Sequence, residues 1–106
     1  MSVNLAQILA ELRHRLEQLY GPRLVKLVLF GSQARGDAEP GSDIDVLVVL
    51  EGPVSPGEEI ERASPVTASL SLEHDVVISC IYMSVARFAN EGSPLLLNVR
   101  REGVTI

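Results

Sequence analysis

Three of the chain's four aspartates, Asp37, Asp43 and Asp45, fall within nine residues that hold Gly41 and follow closely on Gly31 and Gly36. Asp43 and Asp45 open an apolar, β-branched run. Side chains alternate faces along a strand, so the two carboxylates point the same way at its entrance. Carboxylates that close repel each other, and a bound divalent cation removes the penalty. Hard oxygen ligands in this arrangement suit Mg²⁺, which takes one or two carboxylates together with substrate phosphates and water. Asp75 opens another Val- and Ile-rich run and offers a third carboxylate to the same ion if the two strands are neighbours. Gly31-Ser32 directly follows an apolar run. Glycine lets a phosphate approach the backbone closely, while Ser32 supplies a hydroxyl and the turn supplies N–H donors. Together they form a small phosphate cradle opposite the carboxylates. Arg35 reads either as a phosphate contact or as the partner of a nearby acid.

These groups need elements to position them. Leu5, Ile8, Leu9, Leu12, Leu16 and Leu19 recur at three- and four-residue spacing, which predicts an amphipathic helix over 5–20, with Asn4 as its N-cap and Gly21-Pro22 as its stop. Residues 24–30 predict a strand. Residues 31–41, punctuated by Gly31, Gly36, Pro40 and Gly41, predict a loop with one helical turn at most. Residues 43–50 predict a central strand, apolar on both faces. Ser55-Pro56-Gly57-Glu58 matches a capping box with proline at the first helical position, opening a helix to about Leu70 that Pro65 should kink or divide. A third strand follows over 75–83. Ser84 should cap a short helix, Ser93-Pro94 should open another that stops at Gly103, and residues 104–106 can add a last strand. The order implies an α/β (α+β) fold with a small mixed sheet and helices packed mainly on one face.

The bulk numbers bound the answer. A chain of 106 residues with 46% hydrophobic and 22% charged residues is expected to form one domain, 1–106, with an affordable core. Its one cysteine, Cys80, allows neither an internal disulfide nor a Cys-based zinc site, so no oxidising compartment is implied, and Cys80 itself reads as a small core residue. No apolar run approaches the ~20 residues of a membrane span and no basic stretch leads the N-terminus, so cytoplasmic residence is the expectation. The net charge of −5 argues against broad nucleic-acid binding, which needs several phosphate-neutralising cations on one face. It leaves a nucleotide ligand open, because a small site can borrow positive charge from metal ions. Asp37 reads as a loop cap, His14 and His74 as solvated or packing residues, and Arg100-Arg101 as a solvated helix face.

Gly31-Ser32, ten intervening residues and Asp43-Ile44-Asp45 resemble the signature of the DNA polymerase beta-like nucleotidyltransferase superfamily. The filling, Gly31-Ser32-Gln33-Ala34-Arg35-Gly36-Asp37-Ala38 and Ser42-Asp43-Ile44-Asp45, resembles its minimal nucleotidyltransferase (MNT) branch, including the MntA-type antitoxins of HEPN/MNT systems. Asp75 and the closing Ser93-Pro94-Leu95 and Arg100-Arg101-Glu102-Gly103-Val104 extend the likeness over nearly the whole chain.

The resemblance implies a nucleotidyltransferase fold and a two-metal transfer. Asp43 and Asp45 would bridge two Mg²⁺ ions, which lie ~3.5–4 Å apart in such sites, and Asp75 would complete one of them or orient or deprotonate the acceptor hydroxyl. Gly31 and Ser32 would hold the phosphates of ATP. Because little chain is available to bind an acceptor, the resemblance further implies a helical partner, a HEPN-type toxin adenylylated on a tyrosine. Two rivals stand beside this: an antitoxin that neutralises its partner by contact alone, and a subunit that modifies a small molecule such as an antibiotic with a helical companion.

Overall fold

Helical periodicity at the start of the chain produces α1 (Val3–Tyr20), which buries Leu5, Ile8, Leu9, Leu12, Leu16 and Tyr20 along one stripe. The computed structural model describes residues 3–39 and 41–106; Pro40, one of the loop's expected turn residues, lies outside them. Asn4 falls inside the first turn of α1 rather than ahead of it. The helix ends where expected, at a 3₁₀ turn over Gly21–Arg23. The chain then forms β1 (Leu24–Phe30), a single helical turn α2 (Ser32–Arg35), β2 (Ile44–Leu50), α3 (Pro56–His74), β3 (Ile78–Ser84), α4 (Val85–Asn90), α5 (Pro94–Glu102) and a short β4 (Val104–Thr105).

Among the described residues the strands make one four-stranded sheet in the order β3-β2-β1-β4. β1 runs antiparallel to β2 and to β4, while β2 and β3 run parallel, joined by the α3 crossover. The sheet is therefore mixed, and β2 is central and almost wholly buried, as its two-sided apolar sequence demands.

Period-two alternation divides the core. Leu27 and Leu29, Ile44, Val46, Val48 and Leu50, and Ile78 and Tyr82 face α1 and α3. Val28, Leu47, Val49 and Met83 face the other way and pack with Leu96 and Val99 of α5 and Phe88 of α4. The two long helices thus occupy one face, while the short pair covers part of the second. Gly103 ends α5 against β1, where an added Cβ would stand 2.4 Å from the Val99 carbonyl oxygen and 2.6 Å from Val28 Cγ1. The Ser84 and Ser93 hydroxyls cap α4 and α5 by accepting from the Arg87 and Leu96 N–H groups. Ser55 holds the N-cap position of α3 without a side-chain bond.

Glu59 is 2% exposed, and a carboxylate so placed must be paired. Its Oε1 accepts from the Tyr20 hydroxyl at 3.1 Å and from Arg62 at 2.5 Å, and Arg23 lies 3.7 Å from Oε2. Burial, reinforced by Glu59, pushes the Tyr20 phenol up to about 12. The group ties the end of α1 to the first turns of α3. Arg100 lies on the exposed face expected of it and donates to the Phe88 and Glu91 carbonyls, joining α5 to α4. No helix among the described residues is long and apolar enough to cross a membrane.

Pro65 neither divides nor ends α3, which runs through it to His74. Proline withholds the N–H that would bond the Glu61 carbonyl, and an interior proline costs a helix about 3 kcal/mol. The flanking turns are held by Ala63, Val66 and Leu70 in the core, which outweighs that local cost. Pro65→Ala should therefore stabilise the chain by about 1–3 kcal/mol, read as a higher urea midpoint at unchanged slope; a lower midpoint would show that the proline ring itself packs usefully.

Candidate active site

β2 delivers its two acids to the face of the sheet that the long helices leave free. Asp45 shares the parity of Leu47 and Val49, which face α5, and Asp43 stands two residues earlier. α4 and α5 cover the far end of this face around Leu47, Val49 and Met83, so the end carrying the aspartates stays open. Asp45 is half-buried and Asp43 exposed. Burial first, and then the charge of Asp43, holds the Asp45 carboxyl above its ordinary value. No described residue donates a hydrogen bond to Asp45, and among the described residues no cation pairs with either aspartate.

Gly31 abuts the pair just past the end of β1, whose Phe30 pairs with Asp45 across the ladder. Its φ of +75° and ψ of −158° fall in a region that essentially only glycine occupies. A Cβ there would stand 2.5 Å from Asp45 Oδ2. The chain turns at once into α2, the Gly31 carbonyl accepting from the Ala34 and Arg35 N–H groups at 3.1 Å each. Ser32 sits beside this approach half-buried, with no described side-chain partner for its hydroxyl. A bare backbone, a spare hydroxyl and two unneutralised carboxylates on one open surface form a donor set that fits a hard cation carrying phosphate oxygens.

Two expected members lie elsewhere. Asp75 does not open a strand: it is the C-cap of α3, in the left-handed conformation with φ +53°, and its N–H donates to the Ser71 carbonyl. α3 continues past Leu70, Asp tolerates the left-handed cap, and β3 begins only at Ile78. Asp75 instead lines a cavity of about 240 Å³ with Gln33, Gly41, Ser42, Val76 and Val77, beside the aspartate pair and outside it. The ligand atoms of Asp43, Asp45 and Asp75 do not gather; among the described residues the acids that do lie within 4.8 Å of one another are Glu11 and Glu73, with His74. His74 thus contacts Glu11 at 3.2 Å, away from the site, and Glu73 is bound by Arg15.

Arg35 is the second correction. Its Nε donates to Asp37 at 3.1 Å and its Nη1 to Glu102 at 3.2 Å, pinning the α2 turn to the end of α5. The ion-pair alternative describes it, and Asp37 serves as its partner. Cys80 packs against the long-helix core, and burial pushes its thiol up to about 11, so it is no nucleophile near neutral pH. One residue that sequence reasoning did not single out joins the pair: Ser79 of β3 stands in register with Asp45, and its hydroxyl donates to Asp43 Oδ2 at 3.4 Å. Its signal was the parity of β3, legible only once the strand's start and register are known.

The family profile of the nucleotidyltransferase domain matches residues 9–92. A candidate protein adenylyltransferase of Methanocaldococcus jannaschii is 31% identical over 80 residues, 74% of this chain and 79% of the relative. Among solved structures, a toxin–antitoxin with AMP-PNP superposes at a TM-score of 0.64 with 21% identity, over 89% of this chain and 68% of the other. The tri-AMPylated HEPN toxin of Shewanella oneidensis in complex with its MNT antitoxin gives a TM-score of 0.57 at 18% identity, over 97% and 68%. At these identities the structural likeness is one of fold.

The Gly31 geometry makes a sharp expectation. Gly31→Ala must relieve both a glycine-only backbone angle and a clash with Asp45, at a cost of about 1–3 kcal/mol. A thermal melt should fall accordingly and nucleotide binding by titration calorimetry should weaken; unchanged values in both would show that Gly31 does not abut Asp45.

Proposed function

The chain belongs to the nucleotidyltransferase domain family, and from that premise we propose that it transfers AMP from ATP to a hydroxyl of a partner protein, a tyrosine of a HEPN-type toxin that it thereby silences. The observation that carries this reading is the aspartate pair itself, crowded on an open sheet face, without a counter-charge among the described residues, and abutted by Gly31.

Asp43 and Asp45 are the residues that would hold Mg²⁺, two ions on the family's pattern, and the bound metal supplies positive charge to the triphosphate and to the departing pyrophosphate. The chain's own groups do the rest. The bare Gly31 backbone and the Ser32 hydroxyl bind the terminal phosphates and set the α-phosphorus against the pair, so that positioning lowers the barrier. The acceptor oxygen bonds to the α-phosphorus as the bond to the β-phosphate oxygen breaks, and the acceptor proton passes to solvent or to a nearby carboxylate. Asp75, off the pair but lining the adjoining cavity, is left with orienting the acceptor hydroxyl. Arg35 is spent on Asp37 and Glu102 and takes no part in phosphate binding.

Two further facts favour a protein as the acceptor. Val77, which lines the cavity with Asp75, is 55% exposed and gives the rim of the site an apolar contact suited to a protein surface. The relative from Methanocaldococcus jannaschii carries the name of a candidate protein adenylyltransferase, and the Shewanella complex holds an AMPylated toxin.

With α-labelled ATP and Mg²⁺, label should reach the co-purifying partner. Asp43→Ala combined with Asp45→Ala should abolish it, while the metal-free variant melts no lower than the parent, because removing both charges ends their repulsion and loses only the 3.4 Å bond from Ser79. Should the double variant still neutralise the toxin as well as the parent does, antitoxicity acts by contact; label appearing on a small molecule and on no protein would favour the antibiotic-modifying alternative.

A further inference from the structure

The third strand serves the site through a hydroxyl. β2 and β3 are parallel, with Asp45 opposite Ser79, and period-two alternation puts Ser79 on the same face as the aspartates. The next β3 residues on that face, Ile81 and Met83, pack beneath α4 and α5. Ser79 is thus the point at which this face of β3 changes from core to site. Its hydroxyl donates to Asp43 Oδ2 at 3.4 Å, whereas Asp75, the carboxylate expected from this strand, sits in a helix cap three residues before β3 begins.

We propose that Ser79 is a positioning residue that orients Asp43 for the metal, and that it stands where a third carboxylate would otherwise complete the set. This rests on the nucleotidyl-transfer reading of the aspartate pair. A hydroxyl donor fixes one oxygen of Asp43 and leaves the other, with Asp45, to the ion. Because Ser79 is neutral, the sheet offers the ion two formal negative charges instead of three. Free-metal affinity is correspondingly modest, and the triphosphate supplies the missing anionic ligands when it arrives. Groups that orient a metal's ligands change affinity about 10–100-fold when removed.

The test is Mn²⁺ binding to the full chain without nucleotide, followed by electron paramagnetic resonance, in the parent and in Ser79→Ala, Ser79→Thr and Ser79→Asp. Ser79→Ala should weaken binding about tenfold without lowering the melting temperature of the metal-free chain. Ser79→Thr should restore it to within about threefold, and Ser79→Asp should tighten it about tenfold or more by adding a ligand. In transfer assays Ser79→Ala should raise the Mg²⁺ concentration at half-maximal rate more than it lowers the rate at saturating metal. Parent-like Mn²⁺ binding by Ser79→Ala, or weaker binding by Ser79→Asp, overturns the role of Ser79 alone. No Mn²⁺ binding by the parent, or binding that survives loss of both Asp43 and Asp45, overturns the site reading beneath it.

Discussion

Two carboxylates held on the same side of one strand, with no cationic side chain paired to them among the described residues, are the constraint around which the molecule is arranged. Asp43 and Asp45 repel, and burial adds to the cost at Asp45. Gly31 crowds Asp45 from the neighbouring strand, where a larger residue would push it aside. A fold can hold such a pair only if the rest of the structure over-determines it. β2 supplies that rigidity: it is hydrogen-bonded on both sides and buried from Val46 to Leu50. The repulsion is a standing demand for positive charge, which on the proposed reading a metal-bound nucleotide would meet.

Placement of the helices follows from the same requirement. α1 and α3 supply the larger core on the face away from the acids. α4 and α5 form a smaller core that stops short of them. Closure of both faces along their whole length would have sealed the pair in low dielectric, where an unpaired charge is most costly. Arg35, the cation within the motif, is drawn off to Asp37 and Glu102. It therefore fastens the α2 turn, and hence the backbone beside Gly31, to the end of the chain instead of neutralising the aspartates. The chain's net charge of −5 is thus partly local, gathered at the corner that carries Asp43 and Asp45.

The legible parts of the site were those set by short-range pattern. Spacing and strand parity place Asp43 and Asp45 on one face and Gly31 against Asp45, as the structure has them, and the strands and helices follow from periodicity and caps. The misread parts depended on long-range or compensated effects. Pro65 looked like a break, yet core burial of the surrounding turns carried α3 on to His74, which turned Asp75 from a strand opener into a helix cap. Ser79 entered the site through the register of a parallel ladder, and no local sequence pattern encodes which residue of one strand lies opposite which of another. Arg35 was ambiguous because its partner Glu102 is 67 residues away.

The most direct measurement is a crystal structure of the chain with Mn²⁺ and a non-hydrolysable ATP analogue, with manganese located by its anomalous scattering. Manganese is expected between the carboxylates of Asp43 and Asp45, with the terminal phosphates against Gly31 and Ser32. Manganese bound at Glu11, Glu73 and His74 with the aspartate pair empty, or phosphates seated away from Gly31, would contradict this expectation.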